Sequence, residues 1–235
     1  MECYMTMLTL DKKGIAGAVA LGAVLFLLGG SFGWLLVAVM LYFLVFSYVV
    51  TLIRIDYKER RGLTEKRRGI MNVAANGIAP LAFAFVLYFG AVFSNNLLEL
   101  AGIVGFIGAV AGITADKFAS ELGVLDGIPK EILTLKPTKK GRSGAVTLFG
   151  LAMSVVGAAL VAGWAFPLAE AFSVVGGGIG GAGLLAVVVL SGFIGSVIDS
   201  VAGHFEERGL GNKHTSNLIC SVAAGLTAIA IVLVV

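Results

Sequence analysis

The sequence predicts an all-α membrane protein of about seven transmembrane helices, with its N-terminus in the cytoplasm and its C-terminus outside. Three observations carry that reading. The 235 residues are 58% hydrophobic and 13% charged, with a mean hydropathy of +1.00, whereas a soluble domain carries about 25% charged residues. Apolar runs of about 18 residues or more recur along the chain, each long enough to cross a bilayer. All 17 Lys and Arg residues fall on one side once the runs are read as seven spans.

The expected spans cover residues 14–30, 32–53, 70–93, 97–115, 145–164, 179–202 and 215–235. The first passes directly into the second, so it reads as a span and not as a cleaved signal peptide. Lys12 and Lys13 precede span 1. Seven cations fill the loop at 54–69, six lie between Lys117 and Arg142, and Arg208 and Lys213 follow span 6. The loops around Ser31, around Asn95 and over 165–178 hold none. One polytopic domain over 1–235 results, with cytoplasmic loops at about 54–69, 116–144 and 203–214. The net charge of +3 follows from this topology and predicts no nucleic-acid partner. Gly is abundant, at 33 residues, which suits close helix packing in lipid. Residues 176–183 read as an uncharged glycine connection on the outer side, and Trp34 and Trp164 as interfacial anchors. Cys3 and Cys220 are too far apart for a disulfide framework or a zinc pattern. No internal repeat is visible.

Polar residues near the ends of membrane helices are costly unless they are used, so they mark candidate sites. Three clusters sit at the cytoplasmic ends. In "GITADKFASELG" (112–123), Asp116 and Ser120 share a helix face, and Glu121 lies about 140° round from Asp116. In "GSVIDSVAGHFEERG" (195–209), Asp199 sits inside the end of span 6 among small residues. In "NVAANGIAP" (72–80), Asn72 and Asn76 share one face of span 3. Carboxylates at one depth suit a hard cation such as Mg²⁺, which leaves coordination positions for phosphate oxygens. Asp116, Glu121 and Asp199 are therefore the expected metal ligands and catalytic residues.

The loop "LKPTKKGRSGAV" (135–146) is the phosphate candidate. It combines Lys136, Lys139, Lys140 and Arg142 with Gly141, Ser143 and Gly144, and it opens a helix N-terminus. It lacks Walker spacing. The basic loop at 54–69 reads as a solvated topology and lipid-surface segment, with some of its cations available to a nucleotide or lipid phosphate. Glu206 and Glu207 read as solvated, with either able to join the metal shell, and His204 and His214 as histidines without a nucleophile to activate.

The stretches "NVAANG", "TADKFASELG", "KPTKKGRSGAVTLFG" and "GSVIDSVAGHFEERG" resemble, in order and spacing, an integral-membrane family that includes transmembrane protein 19 and the phytyl-phosphate kinases of plants and cyanobacteria. The resemblance covers about the last 165 residues. Lys117 stands where that family usually has Thr. The resemblance implies CTP as phosphoryl donor and an isoprenoid monophosphate, such as phytyl or geranylgeranyl phosphate, as acceptor. Asn72, Asn76, Ser120, Lys136, Lys139, Lys140, Gly141, Arg142, Ser143 and Gly144 would then bind nucleotide or acceptor. Two other readings use the same residues or the same topology: a lipid-phosphate cytidylyltransferase, and a lipid or solute transporter. The expected location is the inner membrane, with membrane lipids around the spans and the site facing the cytoplasm. Oligomeric state is not legible in the sequence.

The topology predicts the behaviour of C-terminal fusions in a bacterial host. Alkaline phosphatase fused after Val235 should be active and a fluorescent protein dark. The opposite pair of results would reverse the orientation.

Overall fold

A computed structural model describes residues 10–64, 69–165 and 180–234. The chain runs through α1 (Lys12–Leu28), a 3-10 turn (Gly30–Phe32), α2 (Gly33–Leu52), a short α3 (Ile55–Arg60), α4 (Ile70–Val92) and α5 (Asn96–Gly123). Two short strands follow, β1 (Lys130–Glu131) and β2 (Ala145–Val146), then α6 (Leu148–Ala162), a 3-10 turn (Gly163–Ala165), α7 (Gly181–Glu206) and α8 (Lys213–Val234). Local chemistry starts several of these helices. The side chains of Asp11, Asn95 and Thr147 accept hydrogen bonds from the backbone N–H of Gly14, Leu98 and Gly150, which satisfies donors that a first turn leaves open.

Five segments are long and apolar enough to cross a membrane: Gly30–Leu52, Ile70–Val92, Asn96–Gly123, Gly181–Glu206 and Lys213–Val234. The other two expected spans form shorter helices, α1 with 17 residues and α6 with 15. At 1.5 Å per residue α6 is roughly 22 Å long, short of a hydrocarbon core of roughly 30 Å. The expected glycine connection at 176–183 falls largely outside the described residues, as do Lys66, Arg67 and Arg68.

α5 is the hub. It packs against α2, α4, α6, α7 and α8, and 78% of its most apolar stretch is buried, against 28% for the α2 and α8 segments. α1 lies outside, on α2 and α4. Side-chain contacts gather the polar helix ends together. Lys58 of α3 reaches Glu121 of α5, Asn217 of α8 reaches Asn76 of α4, and the backbone before α6 lies on α7 at His204. Every described Lys and Arg lies at this end of the bundle.

Glycine and alanine let α5, α7 and α8 meet backbone to backbone. A Cβ on Gly112 would sit 2.6 Å from the Ala224 Cβ, and one on Gly195 would sit 2.7 Å from that same atom and 3.0 Å from the Cys220 carbonyl oxygen. The two distances to Ala224 are closer than real side-chain atoms come. Replacing Gly195 by Leu should therefore cost about 1–3 kcal/mol and lower the melting temperature in detergent. At Gly22 of α1 an added Cβ meets nothing within 4 Å. Gly22→Ala should leave that temperature unchanged or raise it, because alanine is the better helix former.

Candidate active site

The close contact at Gly112 and Gly195 has a direct consequence one helical turn further on. Asp116 follows Gly112 by four residues and Asp199 follows Gly195 by four, so both carboxylates emerge where α5 and α7 are nearest. They face each other within hydrogen-bonding reach. The Oδ1 of Asp199 is buried and has no hydrogen-bond partner among the described residues. Two half-buried carboxylates in contact call for something positive between them, a shared proton or a cation.

This pair lines a cleft of about 180 Å³ at the polar end. The cleft also takes in Ser120, Glu121, Lys140, Gly141, Arg142, Ser143 and Gly144, along with Lys213 and Asn217 of α8. A smaller polar cleft of about 40 Å³ adjoins it and shares Asp116, Lys117, Ser120, Lys213 and Asn217. Asn72 and Asn76 line that one. Pro80 has no N–H to give to the carbonyl of Asn76 four residues back, so α4 loses one rung of its ladder beside this polar patch. Of the residues expected at the site, Lys136 and Lys139 stand outside both clefts and are exposed.

Glu121 lines the cleft, but its carboxylate is already occupied. Lys58 Nζ lies 2.7 Å from its Oε2, Lys117 Nζ lies 2.6 Å from its Oε1, and Thr51 Oγ1 donates to the same Oε1 at 3.0 Å. Lys58 is 1% exposed and also donates to the carbonyls of Val50 and Thr51 at the end of α2. A cation there caps the open carbonyls of a helix C-terminus. The loop at 54–69 therefore contains a buried latch, where the sequence favours a solvated, lipid-surface segment. Among the described residues no group of three or more His, Cys, Asp or Glu is arranged to hold a metal ion; Asp116 and Asp199 stand as a pair.

The basic loop is held by its own small structure. β1 and β2 pair antiparallel, Lys130 with Val146 and Glu131 with Ala145. Gly144 adopts a φ of +73°, and a Cβ there would meet the backbone N of His204 at 2.6 Å, so only glycine lets the loop lie on α7. Glu207 fixes it from the other side, accepting from Arg142 Nε and from the Ser143 N–H, both at 3.1 Å. A guanidinium and a backbone N–H thus already converge on an oxyanion. Below the loop, buried His204 places Nδ1 2.7 Å from Glu131 Oε1, off the line of a directed hydrogen bond. The Thr134 hydroxyl donates to Glu131. With His204 and Arg142 nearby, it holds the Glu131 carboxyl below the usual range.

The sequence reading passes over Lys213 and Asn217 as site residues, and it offers Glu207 to solvent or to the metal shell, where the structure has it holding the basic loop. Lys213 and Asn217 are four apart at the start of α8, the same spacing as Asn72 and Asn76, and that repeated spacing was the available signal.

The fold and cleft define a polytopic helical membrane protein with a polar site, walled by both carboxylates and cations, at one end of its bundle. The chain belongs to the family described as integral membrane protein DUF92, whose model matches residues 3–230. It is 30% identical over 224 residues to the uncharacterized membrane protein MJ0933 of Methanocaldococcus jannaschii, covering 94% of this chain and 85% of that one. It is 32% identical to Protein PGR of Arabidopsis thaliana over 81% of this chain and 69% of the relative. With Protein VTE6, chloroplastic, of the same plant it shares 32% over 60% of this chain and 42% of the relative. These matches bear out the family resemblance carried by the four polar segments. No solved structure matches.

The Lys58 latch can be tested by stability. Lys58→Ala should cost about 1–3 kcal/mol by stripping a partner from a buried carboxylate. Combining it with Glu121→Gln should cost less than the sum of the single changes. Additive losses in detergent unfolding would show that the two residues do not interact.

Proposed function

We propose that the cleft is the active site of a CTP-dependent kinase converting an isoprenoid monophosphate to the diphosphate, on the cytoplasmic face of the inner membrane. The observation that carries this reading is the Asp116–Asp199 pair directly beside a glycine-rich basic loop. Two facing carboxylates suit Mg²⁺, and a guanidinium with exposed N–H groups suits phosphate. The family resemblance supplies the nucleotide and the acceptor class, and the gathering of cations at this end supports the cytoplasmic orientation.

In this reading Asp116 and Asp199 hold Mg²⁺, which when bound offsets the charge of the transferring phosphates. Lys140, Arg142 and the backbone of Gly141, Ser143 and Gly144 hold the triphosphate, with Lys136 and Lys139 adding positive potential at the mouth. Arg142 and the Ser143 N–H exchange Glu207 for a phosphate oxygen when nucleotide binds. Lys213 and Asn217 stand with Asn72, Asn76 and Ser120 around the acceptor phosphate. Glu121 acts as a positioning residue, keeping Lys117 and Lys58 in place. A phosphate oxygen of the acceptor attacks the terminal phosphorus of the nucleotide, a P–O bond forms, and the bond to the departing CDP breaks. The acceptor is already an anion near neutral pH, so no side chain has to remove a proton. The barrier lies in charge repulsion and alignment.

Purified protein with Mg²⁺ should be selectively stabilised by CTP among the four nucleoside triphosphates, and should release CDP with geranylgeranyl monophosphate. Asp116→Asn and Asp199→Asn should each lower kcat by about 100-fold or more while folding normally. Near-normal turnover in either variant would remove its assigned role, and pyrophosphate release would make the reaction a cytidylyl transfer.

A further inference from the structure

We propose that an apolar groove between α1, α2 and α4 holds the single hydrocarbon chain of the lipid whose phosphate enters the polar cleft. This rests on the reading of the cleft as a lipid-phosphate site. The groove measures about 100 Å³ and is walled by Leu21, Gly22 and Leu25 of α1 and by Met40, Phe43 and Leu44 of α2. α1 packs on both α2 and α4, while α2 and α4 barely touch each other. That leaves a slot between them with α1 as its wall.

Three observations point to this occupant. The first is continuity: Phe43, Ser47, Asn72 and Asn76 line both the groove and the small polar cleft that opens onto Asp116 and Lys213. A molecule lying across that junction must be apolar on one side and anionic on the other.

The second is Ser47. It is 2% exposed, and its Oγ has no hydrogen-bond partner among the described residues. A buried hydroxyl without a partner destabilises a fold, and its place at the junction puts it where a phosphate ester oxygen would lie. A bare hydrocarbon would leave it unsatisfied.

The third is size. From Ser47 to Val37 the groove follows α2 for ten residues, roughly 15 Å at 1.5 Å per residue. That is the depth of one leaflet of a core roughly 30 Å thick. A slot this narrow has room for no more than one chain, seated along it with its outer side open to the membrane, and the paired chains of a glycerolipid do not fit. Its rim includes Leu41, 55% exposed, which gives the chain a sideways entry from the membrane. Gly22 leaves the wall open, since nothing lies within 4 Å of an added Cβ.

The test uses the full chain in nanodiscs with Mg²⁺ and a geranylgeranyl monophosphate carrying a diazirine near its chain end, followed by irradiation and peptide mapping. Labels should fall on the groove-lining side chains Leu21, Leu25, Met40, Phe43 and Leu44. Unlabelled geranylgeranyl monophosphate should compete, and phosphatidylglycerol should not. Labels spread over lipid-facing positions such as Val19 and Phe26, or equal competition by phosphatidylglycerol, would overturn the proposal. Gly22→Phe should cut labelling, and should lower turnover with geranylgeranyl relative to isopentenyl monophosphate by about tenfold. Val19→Phe, at a position 68% exposed, should do neither. Ser47→Ala should weaken probe binding about threefold to tenfold without lowering the melting temperature. Labelling in the groove with no phosphorylation of any acceptor would sink the kinase reading and leave the groove standing. Phosphorylation with labels elsewhere would do the reverse.

Discussion

The contact on which the site depends contains no charged group. It is the meeting of α5, α7 and α8 at Gly112, Gly195 and Ala224, where the Cβ that glycine lacks would already lie inside van der Waals distance of a neighbour. In a bilayer, helices gain little from hiding apolar surface, and close backbone packing takes over that role. Small residues at this depth let two helices approach more nearly than larger side chains allow. One turn later the same two helices carry Asp116 and Asp199, and the proximity of the backbones becomes a proximity of carboxylates. The repulsion between them is thus held by packing several residues away, in a part of the bundle that takes no part in chemistry.

The cleft shows how environment separates carboxylates on one helix. Asp116 and Glu121 are five residues apart on α5. Glu121 faces two lysines and a threonine hydroxyl, so its charge is compensated within the protein. Asp116 faces Asp199, and Lys117, which it shares with Glu121, offsets only part of the charge of the pair. Two facing carboxylates that stay charged need a further partner, and a buried glutamate already paired does not. The distinction favours Asp116 and Asp199 as the residues that meet a ligand and leaves Glu121 to organise the wall. It also explains why Lys58 is buried: without it, the C-terminus of α2 and the Glu121 carboxylate would both be left open.

Much of this was legible in the sequence, for physical reasons. Apolar runs are set by the thickness of the bilayer, and the clustering of Lys and Arg by which loops share one side of it, so both are written residue by residue. The aspartates at 116 and 199 stood out because a carboxylate near a membrane helix end is rare. Other features depend on spatial neighbours, and no local pattern reports them. Lys58 looked like one cation among seven until α3 folded back onto α2. Glu207 looked solvated because the loop it holds is more than 60 residues away. Lys213 and Asn217 gained their meaning only when the start of α8 was placed against α4. The two-residue strands at 130–131 and 145–146 are too short to show alternation, and the loop between them reads as unstructured on pattern alone. α1 and α6 were expected as full spans because hydropathy measures length along the chain, but helix ends are set by caps and glycines.

On the proposed reading, the arrangement also resolves a problem that any lipid-phosphate enzyme faces. The reacting groups are highly charged and the substrate's anchor is not, so one molecule has to sit in two solvents at once. Here the boundary falls at a single ring of side chains, Ser47, Asn72 and Asn76, which are polar but uncharged. Neutral hydrogen-bonding groups are the right material for such a boundary. Lysines there would be costly next to the apolar slot, and aliphatic side chains would strand the phosphate oxygens. Placing Pro80 four residues beyond Asn76 adds one more acceptor, since that carbonyl gives up its helical partner at the level where the polar cleft ends. Charge on one side, hydrocarbon on the other and neutral polar groups between them would allow the proposed substrate's phosphate to reach the cations of the cleft while its chain remains at membrane depth.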